Sequence, residues 1–268
     1  MKKISILYHA NCFDGFGGAY VAWKKFGNNA DYFPVEHQTP PLKNLKNKEI
    51  FMIDFCYPDF VLEELRQKNK KIVVLDHHIS AYKNIKKADE YVFDNNHSGA
   101  IIAWNYFFNK TKPSKLLLHI EDQDLWNFKL PFTKEILSVL ELQKFDFKVW
   151  DQFSHLLNNK LQSKKIISLG KEILKYKDIL VNKITLNAEP IFLAGYKALS
   201  VNSPILVSEI SAKLLKQSPL VVIWQKITNG YNISLRSKGK IDVSKIAMQY
   251  NGGGHKHSAG FKIKKLPW

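Results

Sequence analysis

Apolar and polar positions along this chain follow two periods, and the change from one to the other marks its elements. Residues 4–8 (ISILY) form a short apolar run that stops at a polar loop. After Gly17, apolar residues recur with helical spacing at Ala19, Ala22, Trp23 and Phe26. Residues 49–53 (EIFMI) predict a second strand, and Pro58 then stands at the start of a helix through Leu62 and Leu65. Residues 71–75 (KIVVL) predict a third strand, with the β-branched content of a parallel strand buried on both faces. Strand and helix in this alternation imply right-handed crossovers and a parallel sheet. Ser98 is placed to cap a helix carrying Ile101, Ile102, Trp104 and Phe108, and helical patterns dominate from Lys115 to Ile184.

The pattern changes near residue 185. The stretch 161–184 reads as one long, lysine-rich amphipathic helix, the natural connector between two domains. Beyond it, residues 190–201, 220–227 and 231–235 read as strands, with Asn229-Gly230 as a hairpin turn. Helical patterns at 207–215 and 243–250 lie between and after them. The expected architecture is α/β: an N-terminal parallel-sheet domain over 1–160 with helices on both faces, a helical connector over 161–188, and a smaller α/β domain over 189–268.

Composition narrows the partners. With 268 residues, 45% of them hydrophobic, the chain is neither disordered nor fibrous. Lys and Arg number 40 against 24 acids, a net charge of +16, which favours polyanionic partners but also suits solvated lysine-rich helix faces. The apolar run after Met1-Lys2-Lys3 falls short of the 7–15 or so residues of a signal core, and nothing approaches the roughly 18 residues of a membrane span. Cys12 and Cys56 make neither a disulfide framework nor a CxxC zinc site. The expectation is a soluble, cytoplasmic protein without a membrane partner. No protein partner is predicted, and oligomeric state is not legible.

Candidate chemistry falls at the strand ends. His9 and Asp14 follow the first strand, Asp54 closes the second, and Asp76-His77-His78 closes the third. In a parallel sheet these carboxyl ends open on one edge, where ligands of open α/β folds bind. A single Asp after a strand is more often a helix cap, but three strands ending this way argue for a shared purpose. Carboxylates mixed with imidazoles suit a divalent transition metal such as Mn²⁺. A further acidic cluster spans 119–126 (HIEDQDLW), and Gly15, Gly17 and Gly18 offer a weak signal for close backbone approach to a phosphate. At residues 251–260 (NGGGHKHSAG) the consecutive glycines predict a backbone nest for an anion, with His255 and Lys256 adding charge. Arg236, just past a strand, offers a planar fork for phosphate.

These motifs, in this order and over nearly the whole chain, resemble the DHH/DHHA1 phosphoesterase family, and the opening YHANCFDGFGGAYVAW is similar to its oligoribonuclease (nano-RNase) branch. The resemblance implies two Mn²⁺ ions bridged by Asp54, with Mg²⁺ or Co²⁺ as substitutes. It gives His9 to one ion, and Asp14, His77 and Asp122 to the other, with Asp124 the alternative two residues on. The family's first motif often carries Asp-x-Asp, and here Cys12 stands at the first position: a thiolate ligand, a weaker site, or a packed small residue. Asp76 is expected to orient His77, and His78 to contact the scissile phosphate. Arg236, Ser237, Gly252, Gly253, Gly254 and His255 would hold the far end of the substrate.

The implied activity is hydrolysis of short oligoribonucleotides to mononucleotides by two-metal in-line attack. Hydrolysis of cyclic dinucleotides and removal of the phosphate from an adenosine bisphosphate are the alternatives within that chemistry. A non-catalytic nucleic-acid-binding protein is the alternative from another class.

Overall fold

The structure, a computed structural model, describes residues 2–36, 39–109 and 111–268. Among them the chain divides into two compact units, 1–173 and 174–268.

The first unit begins with β1 (Ile4–His9), α1 (Phe13–Phe26), β2 (Ala30–Val35), β3 (Glu49–Ile53), α2 (Asp59–Lys68), β4 (Lys71–Asp76), the single turn α3 (Tyr82–Ile85) and β5 (Glu90–Phe93). Its strands form a wholly parallel sheet in the order β2-β1-β3-β4-β5. Four helices follow: α4 (Gly99–Phe108), α5 (Lys115–Asp124), α6 (Thr133–Leu140) and α7 (Phe147–Asn158).

The central strands show why this sequence makes such a sheet. Ile6, Phe51, Ile53, Val73 and Leu75 face one core with residues of α1, α4, α5 and α7, while Leu7, Ile50, Met52, Ile72 and Val74 face another with residues of α2. The two-residue period divides each apolar run between two helix layers. Each such side chain moved out of water contributes about 1.5–3 kcal/mol. The sequence pattern does not mark the two outer strands, β2 and β5. β2 carries Pro34, which is tolerated at a sheet edge because no ladder donor is needed there.

Helix α8 (Lys160–Thr185) contains the division between the units. The second unit continues with β6 (Glu189–Leu193), β7 (Tyr196–Asn202), α9 (Val207–Leu214), β8 (Leu220–Ile227), β9 (Gly230–Ser237), α10 (Val243–Met248), β10 (Gly253–His255) and β11 (Ser258–Ile263). Its sheet runs β10-β11-β9-β8-β7-β6, antiparallel except where α9 carries the chain from β7 to a parallel β8. The single strand expected over 190–201 is a hairpin. Ala194 and Gly195 take φ of +50° and +82° and turn the chain between β6 and β7.

Candidate metal centre

The carboxyl edge of the first sheet gathers the groups that the strand ends promised. His9 is the last residue of β1, Asp14 lies in the first turn of α1, Asp54 follows β3, and Asp76 ends β4 with His77 and His78 next. Asp14, Asp54 and Asp76 are 1%, 1% and 0% exposed. Three buried carboxylates in one place need compensating positive charge, because removing an ion from water costs several kcal/mol.

The imidazoles meet that need. Asp54 stands between two of them, with Oδ2 3.3 Å from His9 Nδ1 and Oδ1 3.2 Å from His77 Nε2. His77 Nε2 is also 3.9 Å from Asp14 Oδ2 and 3.6 Å from Asp124 Oδ2. Burial alone would lower the His77 pKa, but the Asp54 hydrogen bond and the charges of Asp14 and Asp124 drive it to about 10. Burial would raise Asp54, yet its two histidine partners hold it well below the usual carboxylate range. Burial and the Asp54 charge push Asp14 far up and Asp124 to about 6.

Backbone geometry supports this placement. Asp54 adopts φ +63°, the left-handed region, and its N–H donates to Leu75 O at 2.9 Å. Asp14 accepts from the backbone N–H groups of Gly99 and Ala100 at 2.6 and 2.9 Å, so the first amides of α4 fix its carboxylate. Gly99 is required for that approach: a Cβ there would lie 2.7 Å from Asp54 Cβ and 2.9 Å from Asp14 Oδ2. The sequence pattern marks Ser98 as a helix cap and gives no sign of this role for Gly99. The glycines early in α1 pack rather than bind, since a Cβ on Gly15 or Gly18 would meet His9 O or Ile53 Cγ2 at 2.2 or 2.3 Å.

Two expectations are corrected here. Asp122, the expected ligand, accepts from Lys129 N, Leu130 N and Thr133 Oγ1 at 2.7, 3.1 and 2.5 Å. Those bonds hold a turn in which Trp126, Phe128 and Phe132 all take positive φ. Asp124, two residues on, reaches the cluster, with its side chain 23% exposed. Glu121 does a third job, accepting from His97 Nδ1 and Ser98 N, both at 3.0 Å, and so steadying the start of α4. The second correction concerns Asp76. Its Oδ1 takes the His77 and His78 backbone N–H groups and the His78 ring at 2.7 Å, so it orients His78 rather than His77.

The donor set fits divalent cations. Among the described residues, three groups each bring one ligand atom per residue within 4.8 Å: Asp54, Asp76, His77 and His78; His9, Cys12 and Asp54; and Asp14, His77 and Asp124. Cys12 precedes α1 without capping it. Burial and the nearby carboxylates raise its thiol pKa well above normal. Asp76 Oδ2, fully buried, has no hydrogen-bond partner among the described residues and so keeps its lone pairs for a further polar or cationic neighbour.

In the second unit the glycine run is a strand rather than an irregular nest. Gly253, Gly254 and His255 pair with Gly260, Ala259 and Ser258, and β10 lies exposed at the sheet edge. Gly254 takes φ +139°, and a Cβ on Gly252 would collide with Gly260 O. Arg236 is partly buried, which lowers its pKa, and donates to Leu235 O at 3.0 Å. Ser237 is buried, with its hydroxyl 2.7 Å from Ile241 O and 3.1 Å from His257 Nδ1, so it braces the hairpin instead of facing a ligand.

A family model described as the DHHA1 domain matches residues 196–267. An uncharacterized protein of Acanthamoeba polyphaga mimivirus is 34% identical over 290 residues, covering 97% of this chain and 68% of the relative. Residues 196–267 therefore belong to the DHHA1 domain family. Two solved structures share the DHH/DHHA1 fold. An exopolyphosphatase-related protein from Bacteroides fragilis matches with a TM-score of 0.54 at 14% identity, over 98% of this chain and 87% of that one. A pGpG-specific phosphodiesterase from Vibrio cholerae matches with a TM-score of 0.51 at 12% identity, over 98% and 93%. Among the described residues, no helix is long and apolar enough to cross a membrane.

Proposed function

We propose that the chain is a Mn²⁺-dependent phosphodiesterase that hydrolyses short oligoribonucleotides to mononucleotides. The observation that carries this reading is Asp54, buried, with one carboxylate oxygen toward His9 and the other toward His77. In this reading His9, Cys12 and Asp54 hold one ion, and Asp14, Asp54, His77 and Asp124 hold the second. Bound there, two divalent ions supply the Lewis acidity that activates water and offsets phosphate charge.

The chain's own groups do the rest. Asp54 and Asp14 are locked by backbone and imidazole contacts, so the donors are in place before substrate arrives. Asp76 holds the proton on His78 Nδ1, which fixes the ring and sets His78 to meet a phosphate oxygen. Arg236 and the exposed β10 edge, with Gly253, Gly254 and His255, are the phosphate-holding candidates of the second unit. The +16 charge steers anionic substrates inward.

The test is Mn²⁺-dependent digestion of end-labelled RNAs from dinucleotides to decamers, beside cyclic dinucleotides and an adenosine bisphosphate. Rates rising toward the shortest RNAs are expected. Turnover of the bisphosphate alone would overturn the RNA reading, and RNA binding without hydrolysis would make the chain a binding module. Co²⁺-loaded protein reads the thiol separately: a thiolate-to-metal absorption band is expected, and Cys12→Ser should remove it.

A further inference from the structure

Beside the metal cluster, a cleft of about 400 Å³ opens against Cys12, Asp14 and Asp124. Its lining has a composition unlike the rest of the chain. In a protein of net charge +16, no Lys, Arg or His lines it among the described residues. Its wall instead brings Asn11, Gln123 and Gln143 together with Glu141 and Phe145; the Asn11 amide also donates to Glu36 Oε1 at 3.4 Å and that of Gln143 to Val139 O at 3.5 Å. Cys12, Asp14 and Asp124 belong to the metal cluster, but the rest of the lining offers a phosphate no cation and sets the Glu141 carboxylate against it. The cleft suits a neutral, flat group with hydrogen-bonding edges, for which carboxamides offer both donors and acceptors.

Phe145 supplies the flat surface. It is 47% exposed, yet its ring centroid lies 5.1 Å from Phe16, 5.9 Å from Trp150 and 6.1 Å from Phe13. Behind it, Trp150 is fully buried. An aromatic ring that is exposed on one side and braced on the other is a ready stacking platform, because it loses little freedom when a second ring settles on it.

We infer that this cleft is a nucleobase subsite: the base of the nucleotide whose phosphate occupies the metal cluster stacks on Phe145 and is read at its edge by Asn11, Gln123 and Gln143. The inference rests on the phosphodiesterase reading for the position of that phosphate. The subsite therefore lies wholly within the first unit.

Calorimetric binding of two probes to Mn²⁺-supplemented protein tests it without turnover. Adenosine 5′-monophosphate and ribose 5-phosphate differ only in the base. The unmodified protein is expected to bind the nucleotide about tenfold more tightly, the gain expected from one base stacked on an aromatic ring. Phe145→Ala should bring the two affinities together, and Phe145→Trp should restore the difference. Equal affinities in the unmodified protein, or no binding of either probe, would overturn the subsite whether or not Phe145→Ala folds. A protein that cleaves short RNA but binds both probes equally loses the subsite and keeps the phosphodiesterase. One that prefers the nucleotide but cleaves no phosphodiester keeps the subsite and loses the hydrolase.

Discussion

At the carboxyl edge of the first sheet, three carboxylates are at most 1% exposed; Asp14 and Asp54 are fixed by partners from other segments, and Asp76 by the amides and ring that follow it. At the outer edge of the second sheet, Gly253, Gly254 and His255 are exposed, and three register pairs with β11 set their course. The first region is built by burial and charge, so each atom there depends on its neighbours. The second is built by backbone pairing, so most changes to it stay local. Tolerance to substitution should therefore differ sharply between them.

The strongest test of that contrast is Asp54→Asn. It keeps the left-handed backbone and the shape but removes the charge shared by His9 and His77, and Mn²⁺-dependent turnover is expected to fall at least about a thousandfold. Steady-state kinetics with calorimetric metal titration would show it; retained turnover would remove Asp54 from the centre. Next comes Gly99→Ala, whose Cβ meets Asp54 and Asp14 together. Metal affinity about 10–100-fold weaker is expected, the usual size for disturbing groups that orient ligands.

The neighbouring acids should then separate. Asp124→Asn is expected to weaken metal binding with little change in the apo melting temperature. Asp122→Asn should lower the melting temperature, by about 1–3 kcal/mol of stability from its weakened buried hydrogen bonds, and spare metal affinity. The reverse pattern would restore Asp122 to the centre.

A smaller effect concerns acidity. His77 has its pKa raised from 6.5 to about 10 by the surrounding carboxylates, so the folded metal-free state holds this proton more tightly than the unfolded chain. That stabilisation is complete below 6.5 and is lost as pH rises through 10. With chelator present, the melting temperature is expected to decline across this interval, and His77→Gln should flatten the decline. The smallest effect belongs to Gly253→Ala, where a Cβ meets nothing within 4 Å: stability should move by no more than about 0.5 kcal/mol in denaturant unfolding.

Strand-end chemistry was readable in the sequence because a parallel sheet aligns the carboxyl ends of its strands. His9, Asp54 and His77 could be brought together without coordinates. What escaped reading depended on distant contacts. Whether Asp122 or Asp124 faces the cluster turns on which backbone amides fold back after α5, and those belong to Lys129 and Leu130. The role of Gly99 depends on Asp14, which is 85 residues away. β2 and β5 lie at sheet edges, where packing demands less of the sequence and periodicity is weak. The glycine run suggests an anion-binding nest because glycine carries no side-chain period to mark a strand, and pairing with β11 makes it one.

The backbone at Asp54 has a consequence for how this protein can change. A left-handed residue there would be most relaxed as glycine, which adopts that region without the crowding a Cβ brings. Yet glycine would erase the carboxylate between His9 and His77. The relief would be small beside the loss, because a buried His77 deprived of its Asp54 partner destabilises the fold by more than the backbone gains. The left-handed aspartate is thus held in place by the histidines around it, and position 54 has no easy neighbour in sequence.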